Sequence, residues 1–369
     1  MTMDDIFNEG DKFRGYVVER LLGKGGLGAV YLVRHDVLDK QFALKILFPS
    51  VAETRPEYVR RFVREAKIAS KIRHPNLVQV YDAGYDNPSG LYFIVMDYVK
   101  GCNLRMAIAM GGAMEVREAV RIVTAVAGAL AAGEPWGVVH RDIKPENIMM
   151  DSDGNVKLVD LGVAKAQGAD SLVTMPQSIF GTPGYISPEQ AQDSSKVDFR
   201  ADVYSLGVVL FELLCGERPY PSDNPVKLME FLLSPDPVKD VCEVNPAVPR
   251  KLSMIVKMMC AKKLAERIAS ASVVLDTLER FGFGKSFIDE AHKAAGPHDA
   301  GAFDYNSYMS KPANDTLSLG QGETADTDVD YFIKRLKRKR RMRKMAVALF
   351  STVVLAVLAA LAIVWSRGI

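Results

Sequence analysis

Short apolar runs broken by turn residues fill the first hundred positions. From about residue 13 to 100, "GYVVERLLG", "GAVYLVRHD", "QFALKIL", "LVQVYDAG" and "LYFIVMDYV" each read as a strand. One helical pattern interrupts them, "PEYVRRFVREAKIASKIR", opening near Pro56 with an apolar stripe at Phe62, Ala66 and Ala69. From about 103 to 281 the periodicity is mostly helical, in "AVRIVTAVAGALAAG", "ADVYSLGVVLFELLCG" and "SASVVLDTLERFG". Within that part the charged stretch "HRDIKPEN" lies between "GVV" and "IMM", two short runs that read as buried strands. The pattern predicts an α+β chain with a small β-rich lobe followed by a larger helical lobe.

Beyond residue 281 the pattern changes twice. Residues 282–333 lose apolar density and gain Gly, Ser, Asp and Asn, as in "PANDTLSLGQGETADTDVD", which predicts a disordered linker. Residues 334–344, "KRLKRKRRMRK", are a basic run, and residues 345–365, "MAVALFSTVVLAVLAALAIVW", hold only Ser351 and Thr352 as polar positions. As a helix this segment would be about 31 Å long, against a hydrocarbon core of about 30 Å, so a membrane span is expected. A buried core helix is the weaker alternative, because such helices seldom run this far without a charge. The basic run should stay on the cytoplasmic side, leaving everything N-terminal in the cytoplasm and residues 366–369 as a short outer tail.

Composition refines this picture. At 369 residues the chain exceeds one ordinary core, so at least two packed units are expected. The net charge of +2 hides an asymmetry: without the 9 basic residues of 334–344, 38 Lys and Arg stand against 45 Asp and Glu. The body is mildly acidic, which argues against a nucleic-acid partner. Cys102, Cys215, Cys242 and Cys260 show no CxxC spacing and read as reduced thiols. Residues 1–12 are an acidic tail without the apolar core of a signal peptide.

The chemistry lies in a few spacings. "LLGKGGLGAVY" contains Gly23, Gly25 and Gly28 as GxGxxG. A dinucleotide fold would place a helix after the third glycine, whereas "AVYLVRH" is strand-like. A glycine hairpin over phosphates fits better, since it brings backbone close without Cβ atoms in the way. Lys45 lies in the apolar strand "FALKIL", where an ammonium needs a partner. Glu65 falls on the apolar stripe of the helix from Pro56, where an acid needs a cation, so the two should pair. In "HRDIKPEN", Asp142 would accept or orient a hydroxyl proton, Lys144 would neutralise a phosphoryl group in flight, and Asn147 would offer an oxygen to Mg²⁺. Asp160, closing the apolar strand of "VKLVDLG", supplies the second metal oxygen.

These segments, with "GTPGYISPE" and "ADVYSLG" in the same order, resemble the eukaryotic-like Ser/Thr protein kinases in their bacterial, membrane-tethered form. The resemblance covers about residues 14–281 and implies a kinase domain over 13–281, with the two-lobed kinase fold. It implies that Leu22, Gly23, Lys24, Gly25, Gly26, Leu27, Gly28, Ala29 and Val30 cover ATP, and that Lys45, paired to Glu65, holds the α and β phosphates. Met96 would be the gatekeeper of the ATP pocket, Asp97 and Val99 its hinge, Met149 its floor, and Asn103 a contact to ribose. Asp142 would be the catalytic aspartate with Lys144 beside it, and Asn147 and Asp160 would hold Mg²⁺, with Mn²⁺ as a substitute. Lys144 and Thr182 resemble Ser/Thr rather than Tyr kinases.

Two departures, "DLG" for DFG and "SPE" for APE, keep the acids Asp160 and Glu189, and Leu161 can still pack. Glu189 should pair with Arg267 of "LAERIAS", although the family's usual proline after that arginine is missing. His140 and His74 read as loop-locking residues, and Cys102 as a small packed thiol near the ATP rim. The activation segment, from Asp160 to Glu189, offers Ser171, Thr174 and Ser178 to phosphorylation, with Arg141 as the phosphate's docking residue and Thr174 the favoured site. Expected partners are proteins with acceptor Ser or Thr, a second copy for trans-autophosphorylation, and membrane lipid through 345–365. Ala356 and Ala360 form a small-xxx-small pair that would suit paired spans. A pseudokinase scaffold is the alternative function, disfavoured because Lys45, Asp142 and Asp160 are all present. A small-molecule kinase is disfavoured by the full "GTPGYISPEQ".

Overall fold

The computed structural model describes residues 6–160, 183–192, 197–220 and 224–294. All belong to the first of two units, Met1–Asp315, the second being Thr316–Ile369. The basic run, the expected span and the outer tail therefore lie outside the described residues, as do Leu161, Ser171, Thr174, Ser178 and Thr182. Among the described residues no helix is long and apolar enough to cross a membrane.

The N-terminal lobe is an antiparallel sheet with helices against one face. Strands β1 (Lys12–Phe13), β2 (Tyr16–Lys24), β3 (Gly28–His35) and β4 (Gln41–Leu47) precede helices α1 (Pro49–Thr54) and α2 (Pro56–Ala69). β5 (Val80–Asp86) and β6 (Leu91–Asp97) complete the sheet in the order β1-β2-β3-β4-β6-β5. Alternation along β4 decides which side chains meet the helix, because successive residues point to opposite faces. Phe42, Leu44 and Ile46 join Tyr31, Phe93 and Val95 in one core, while Ala43 and Leu47 join Phe62 and Ala66 of α2 in the other. Lys45 shares the face of Ala43 and Leu47, so β4 aims its ammonium toward α2. The buried side chains of α2 are Tyr58, Phe62, Glu65, Ala66 and Ala69, the spacing of one helical face, as its sequence predicts. Helix α1, short and mostly exposed, has no counterpart in the predicted pattern.

The run "LVQVYDAG" is strand only from Val80 on. Its first residues turn to the other lobe: Leu77 bridges Leu158, and the Val78 N–H donates to the Leu158 carbonyl at 3.0 Å. The small sheet β7 (Gly101–Asn103), β8 (Ile148–Asp151) and β9 (Val156–Leu158) carries the loop between "HRD" and "DLG". A Cβ on Gly101 would lie 1.8 Å from the Met150 carbonyl oxygen, so β7 reaches β8 only as glycine.

Helices α3 (Leu104–Gly111), α4 (Val116–Gly133), α5 (Pro188–Gln192), α6 (Phe199–Cys215), α7 (Pro225–Leu233), α8 (Val241–Val244), α9 (Arg250–Met259) and α10 (Ala271–Arg280) form the C-terminal lobe. Its centre is α6, where every residue from Ala201 to Leu214 is buried. "GVV" does not form the expected strand. The chain after Val138 has no ladder partner, because the His140 and Arg141 N–H groups donate to the Asp202 carboxylate at the start of α6 instead. "IMM" does form β8.

The expected linker begins with structure. Helix α11 (Lys285–Ala294) follows α10, and Phe287 and Ile288 pack against the lobe's core. The Phe287 ring meets Phe283 edge-on at 5.2 Å, and the Arg117 guanidinium of α4 lies 5.1 Å from its centre. The folded body thus extends past residue 281. Phe287→Ala should lower stability by about 1–2 kcal/mol, less than a fully buried phenylalanine costs, measured by urea unfolding. Exposed Ser286→Ala should stay within about 0.5 kcal/mol, and equal midpoints for the two would show that α11 adds nothing to the domain.

Candidate active site

Lys45 joins the two lobes electrostatically. Its Nζ lies 3.3 Å from Glu65 Oε1 of α2 and 2.6 Å from Asp160 Oδ1, just past β9. Burial alone would lower the Lys45 ammonium, but Asp160 and Glu65 together hold it above the ordinary lysine range. Burial pushes Glu65 up to about 7, opposed by Lys45 and reinforced by the charge of Asp160. Asp160 is held below the usual carboxylate range chiefly by Lys45. It stands at φ +54°, a left-handed conformation that costs a non-glycine residue roughly 1 kcal/mol or more. Arg141 is likewise at φ +64°, so both ends of the site carry backbone strain.

The loop around Asp142 is held by side chains and short backbone bonds. Asn147 Nδ2 donates to the Asp142 carbonyl at 2.8 Å and to Asp142 Oδ2 at 3.0 Å. Lys144 Nζ lies 3.0 Å from the same Oδ2. The Val159 N–H donates to the Asn147 carbonyl at 2.9 Å, which sets Asn147 beside the chain that leads from β9 to Asp160. The Asp142 N–H donates to His140 Nδ1 at 3.3 Å, and the Asn76 N–H to His74 Nδ1 at 3.2 Å. Both histidines thus brace loops, as expected.

The glycine loop separates into two roles. A Cβ on Gly28 would lie 2.0 Å from the Ile46 carbonyl oxygen, so this glycine lets β3 approach β4. Gly23 and Gly25 face open space, with nothing within 4 Å of a built Cβ. These two, in the hairpin closed by the Gly25 N–H to the Gly28 carbonyl, leave backbone available to a ligand. Below them Leu22, Leu27, Val30, Met96 and Val99 share one apolar cluster. Asp97 turns its carboxylate away, accepting from the Tyr81 hydroxyl at 2.7 Å and the Gln79 N–H at 3.2 Å, so any adenine contact falls to its backbone. Met149 is half-buried on β8, paired with Asn103 on β7. The Asn103 side-chain oxygen caps α3 by accepting from the Met106 N–H at 2.9 Å, a bond the expected ribose contact did not anticipate. Cys102 is buried, and burial pushes its thiol up, consistent with a packed thiol.

Glu189 meets Arg267 as expected: Nη1 to Oε1 is 2.6 Å and Nη2 to Oε2 is 3.1 Å, with the Arg267 side chain fully buried. Gln190, one residue on, donates from Nε2 to the Arg141 carbonyl at 3.1 Å. "SPEQ" is therefore bonded both to the lobe and to the loop that carries Asp142.

Two groups escaped the sequence reasoning. Asp202 accepts from the N–H groups of His140 at 2.6 Å and Arg141 at 2.7 Å, and burial pushes its carboxyl up to about 7. The signal was available, since an acid in the first turn of an otherwise apolar helix needs partners for the same reason Glu65 does. The second group is Arg105 with Glu146, Tyr185 and Glu212, whose members lie too far apart in sequence for any spacing rule to join them.

The chain matches the protein kinase domain model over residues 16–277. It is 37% identical over 257 residues to the serine/threonine-protein kinase PrkC of Bacillus subtilis, covering 69% of this chain and 39% of that one. It is 37% identical over 272 residues to the serine/threonine-protein kinase PknB of Mycobacterium leprae, covering 73% and 43%. The chain thus spans about two fifths of the length of these relatives. Its fold matches the crystal structure of the Mycobacterium tuberculosis PknI kinase domain with a TM-score of 0.59 and 31% identity, over 75% of this chain and 100% of that one.

Proposed function

The chain belongs to the protein kinase domain family, and from that membership we propose that it is a Mg·ATP-dependent serine/threonine protein kinase, anchored to the cytoplasmic face of a membrane. The observation that carries the activity is the convergence on one cleft of Lys45, Glu65, Asp142, Lys144, Asn147 and Asp160. All six expected side chains are present, bonded in two groups, Lys45 with Glu65 and Asp160, and Asp142 with Lys144 and Asn147, which a scaffold without phosphoryl transfer would not require.

The donor set fits Mg²⁺. Asp160 is kept ionised by Lys45, and Asn147 spends its amide N–H groups on Asp142, leaving its oxygen as the acceptor. Among the described residues no group of three or more His, Cys, Asp or Glu forms a cage of its own. Asn147 and Asp160 would hold the ion, which would supply positive charge against the nucleotide phosphates.

The protein's own part is positioning and proton handling. Gly23 and Gly25 let backbone N–H groups close over the phosphates, and Lys45, steered by Glu65, meets their α and β oxygens. Asp142 Oδ2, set by Asn147 and Lys144, receives the proton of the acceptor Ser or Thr hydroxyl as its oxygen attacks the γ-phosphorus and the bond from that phosphorus to the β–γ bridging oxygen breaks, so that ADP leaves with the bridging oxygen. Lys144 stays close enough to that oxygen to offset charge on the transferring group. A phosphorylated activation segment would dock at Arg141, whose carbonyl already binds Gln190.

Lys45→Met and Asp142→Asn should each lower transfer from Mg·ATP to a generic acceptor such as casein by about 10²-fold or more, while circular dichroism remains native. In the same reactions wild type, but not Asp142→Asn, should carry phosphate between Ser171 and Ser178, chiefly on Thr174, read by mass spectrometry. Asp142→Asn activity within about threefold of wild type would remove the catalytic assignment.

The anchor rests on the 21 apolar residues at 345–365 and the basic run before them. Deleting residues 334–369 should move the protein from the membrane pellet to the soluble fraction with its transfer activity kept. A truncated chain that resists carbonate extraction would contradict anchoring by this segment.

A further inference from the structure

Helix α2 turns one face to the sheet and another, basic face to solvent. Phe62, Glu65 and Ala66 are buried, whereas Arg60, Arg64, Lys67 and Lys71 are all exposed. Their spacing, i, i+4, i+7 and i+11, puts the four on one stripe, roughly 16 Å long, on the side away from Phe62 and Glu65. Lys71 lies in the turn that closes the helix, and its ammonium stands 5.7 Å from the centre of the Trp136 ring. That indole lies just past α4 and is 57% exposed, a large apolar surface left in solvent.

The stability of α2 does not account for the stripe. Like charges four residues apart repel along a helix. Among the described residues none of the four cations forms an ion pair, although Glu57 stands in the first turn of the same helix. The stripe also departs from the charge of its surroundings, since outside 334–344 the chain carries 38 Lys and Arg against 45 Asp and Glu. A body of that charge meets an anionic partner only through such a face. Exposed tryptophan beside lysine and arginine is the combination found at membrane–water interfaces, where the indole sits at headgroup level and the cations meet anionic lipid. A nucleic acid or an acidic protein would attract the cations too, but proximity favours lipid. The 39 residues of 295–333 can span at most about 130 Å, so a domain anchored through 345–365 is confined to that layer beside the bilayer.

We propose that the stripe from Arg60 to Lys71, together with Trp136, is a docking surface for an anionic lipid bilayer and sets the orientation of the domain on the membrane. The proposal rests on the anchoring proposed above for its proximity to lipid, not for the contact itself. Burial and the charge of Arg64 lower the Arg141 guanidinium, with Asp202 opposing. Arg64 therefore also bears on the loop that carries Asp142 and is kept intact in the variant below.

The test uses the full chain carrying Trp365→Phe, which leaves Trp136 as its one tryptophan. It is reconstituted with vesicles of phosphatidylcholine, alone or mixed one to one with phosphatidylglycerol, whose brominated acyl chains quench indole. On the mixed vesicles Trp136 emission should shift to the blue and be quenched, and about 1 M salt, which screens charges beyond about 3 Å, should reverse both. On phosphatidylcholine alone the emission should remain that of an indole in water. Each Lys or Arg at an anionic surface changes occupancy about fivefold, so Arg60→Gln, Lys67→Gln and Lys71→Gln combined should lower docking about 10²-fold. With native circular dichroism, that variant should then give the same emission on both lipids.

Equal emission on both lipids in the parent chain overturns the proposal, as does a lipid difference that survives the triple substitution. So does a shift produced by duplex DNA or polyglutamate in solution but not by the mixed vesicles, which would make the stripe a site for a soluble polyanion. Flotation separates this proposal from the anchor. A chain that floats with phosphatidylcholine vesicles is anchored whatever Trp136 reports, one that floats only with the mixed vesicles is docked without an anchor, and one that floats with neither is neither anchored nor docked.

Discussion

A lysine on an apolar strand cannot stay charged without a partner, and the site is built around the one it finds. Lys45 sits on the face of β4 that packs on α2, so its ammonium reaches Glu65 from the helix and Asp160 just past β9. Each partner comes from a separate structural element, and one ammonium serves both carboxylates, each of which would otherwise be left without it. The position of α2 against the sheet, the closeness of the two lobes and the ionisation of Asp160 are thereby linked. A nucleotide with Mg²⁺ would enter this arrangement by taking over charges that the protein already holds in place.

Asp202 plays the matching part in the larger lobe. Its carboxylate absorbs the N–H groups of His140 and Arg141, which lets the chain there abandon strand geometry and carry Asp142 on a strained turn. Asn147, Lys144 and His140 then fix Asp142 itself. The loop is irregular because its backbone groups are satisfied by side chains rather than by a sheet, and that irregularity allows it to present several polar groups in one direction.

Local patterns made most of this visible beforehand. Alternation in "QFALKIL" and the helical stripe of α2 pointed Lys45 and Glu65 at each other, because each was a charge on an apolar face. Glu189 and Arg267 were paired through family resemblance and meet as a bidentate ion pair. What stayed hidden depended on long-range partners. "GVV" looks like a strand until Asp202, sixty residues on, claims its neighbours' N–H groups. Helix α11 is too polar to stand out and is held by Phe283 and Arg117, which its own sequence does not reveal. The Arg105 cluster draws on α3, the catalytic loop, "GTPGYISPE" and α6, and only the folded chain assembles it.

The dependence of nucleotide affinity on Mg²⁺ tests the role given to the Lys45–Asp160 pair most directly. Binding of a fluorescent ADP analogue would be titrated with and without Mg²⁺, for wild type and for Asp160→Asn. Wild type should bind about tenfold tighter with the ion, and Asp160→Asn should lose most of that gain while still binding nucleotide. An undiminished Mg²⁺ effect in Asp160→Asn would contradict the assignment of Asp160 to the metal and of Lys45 to the phosphates beside it.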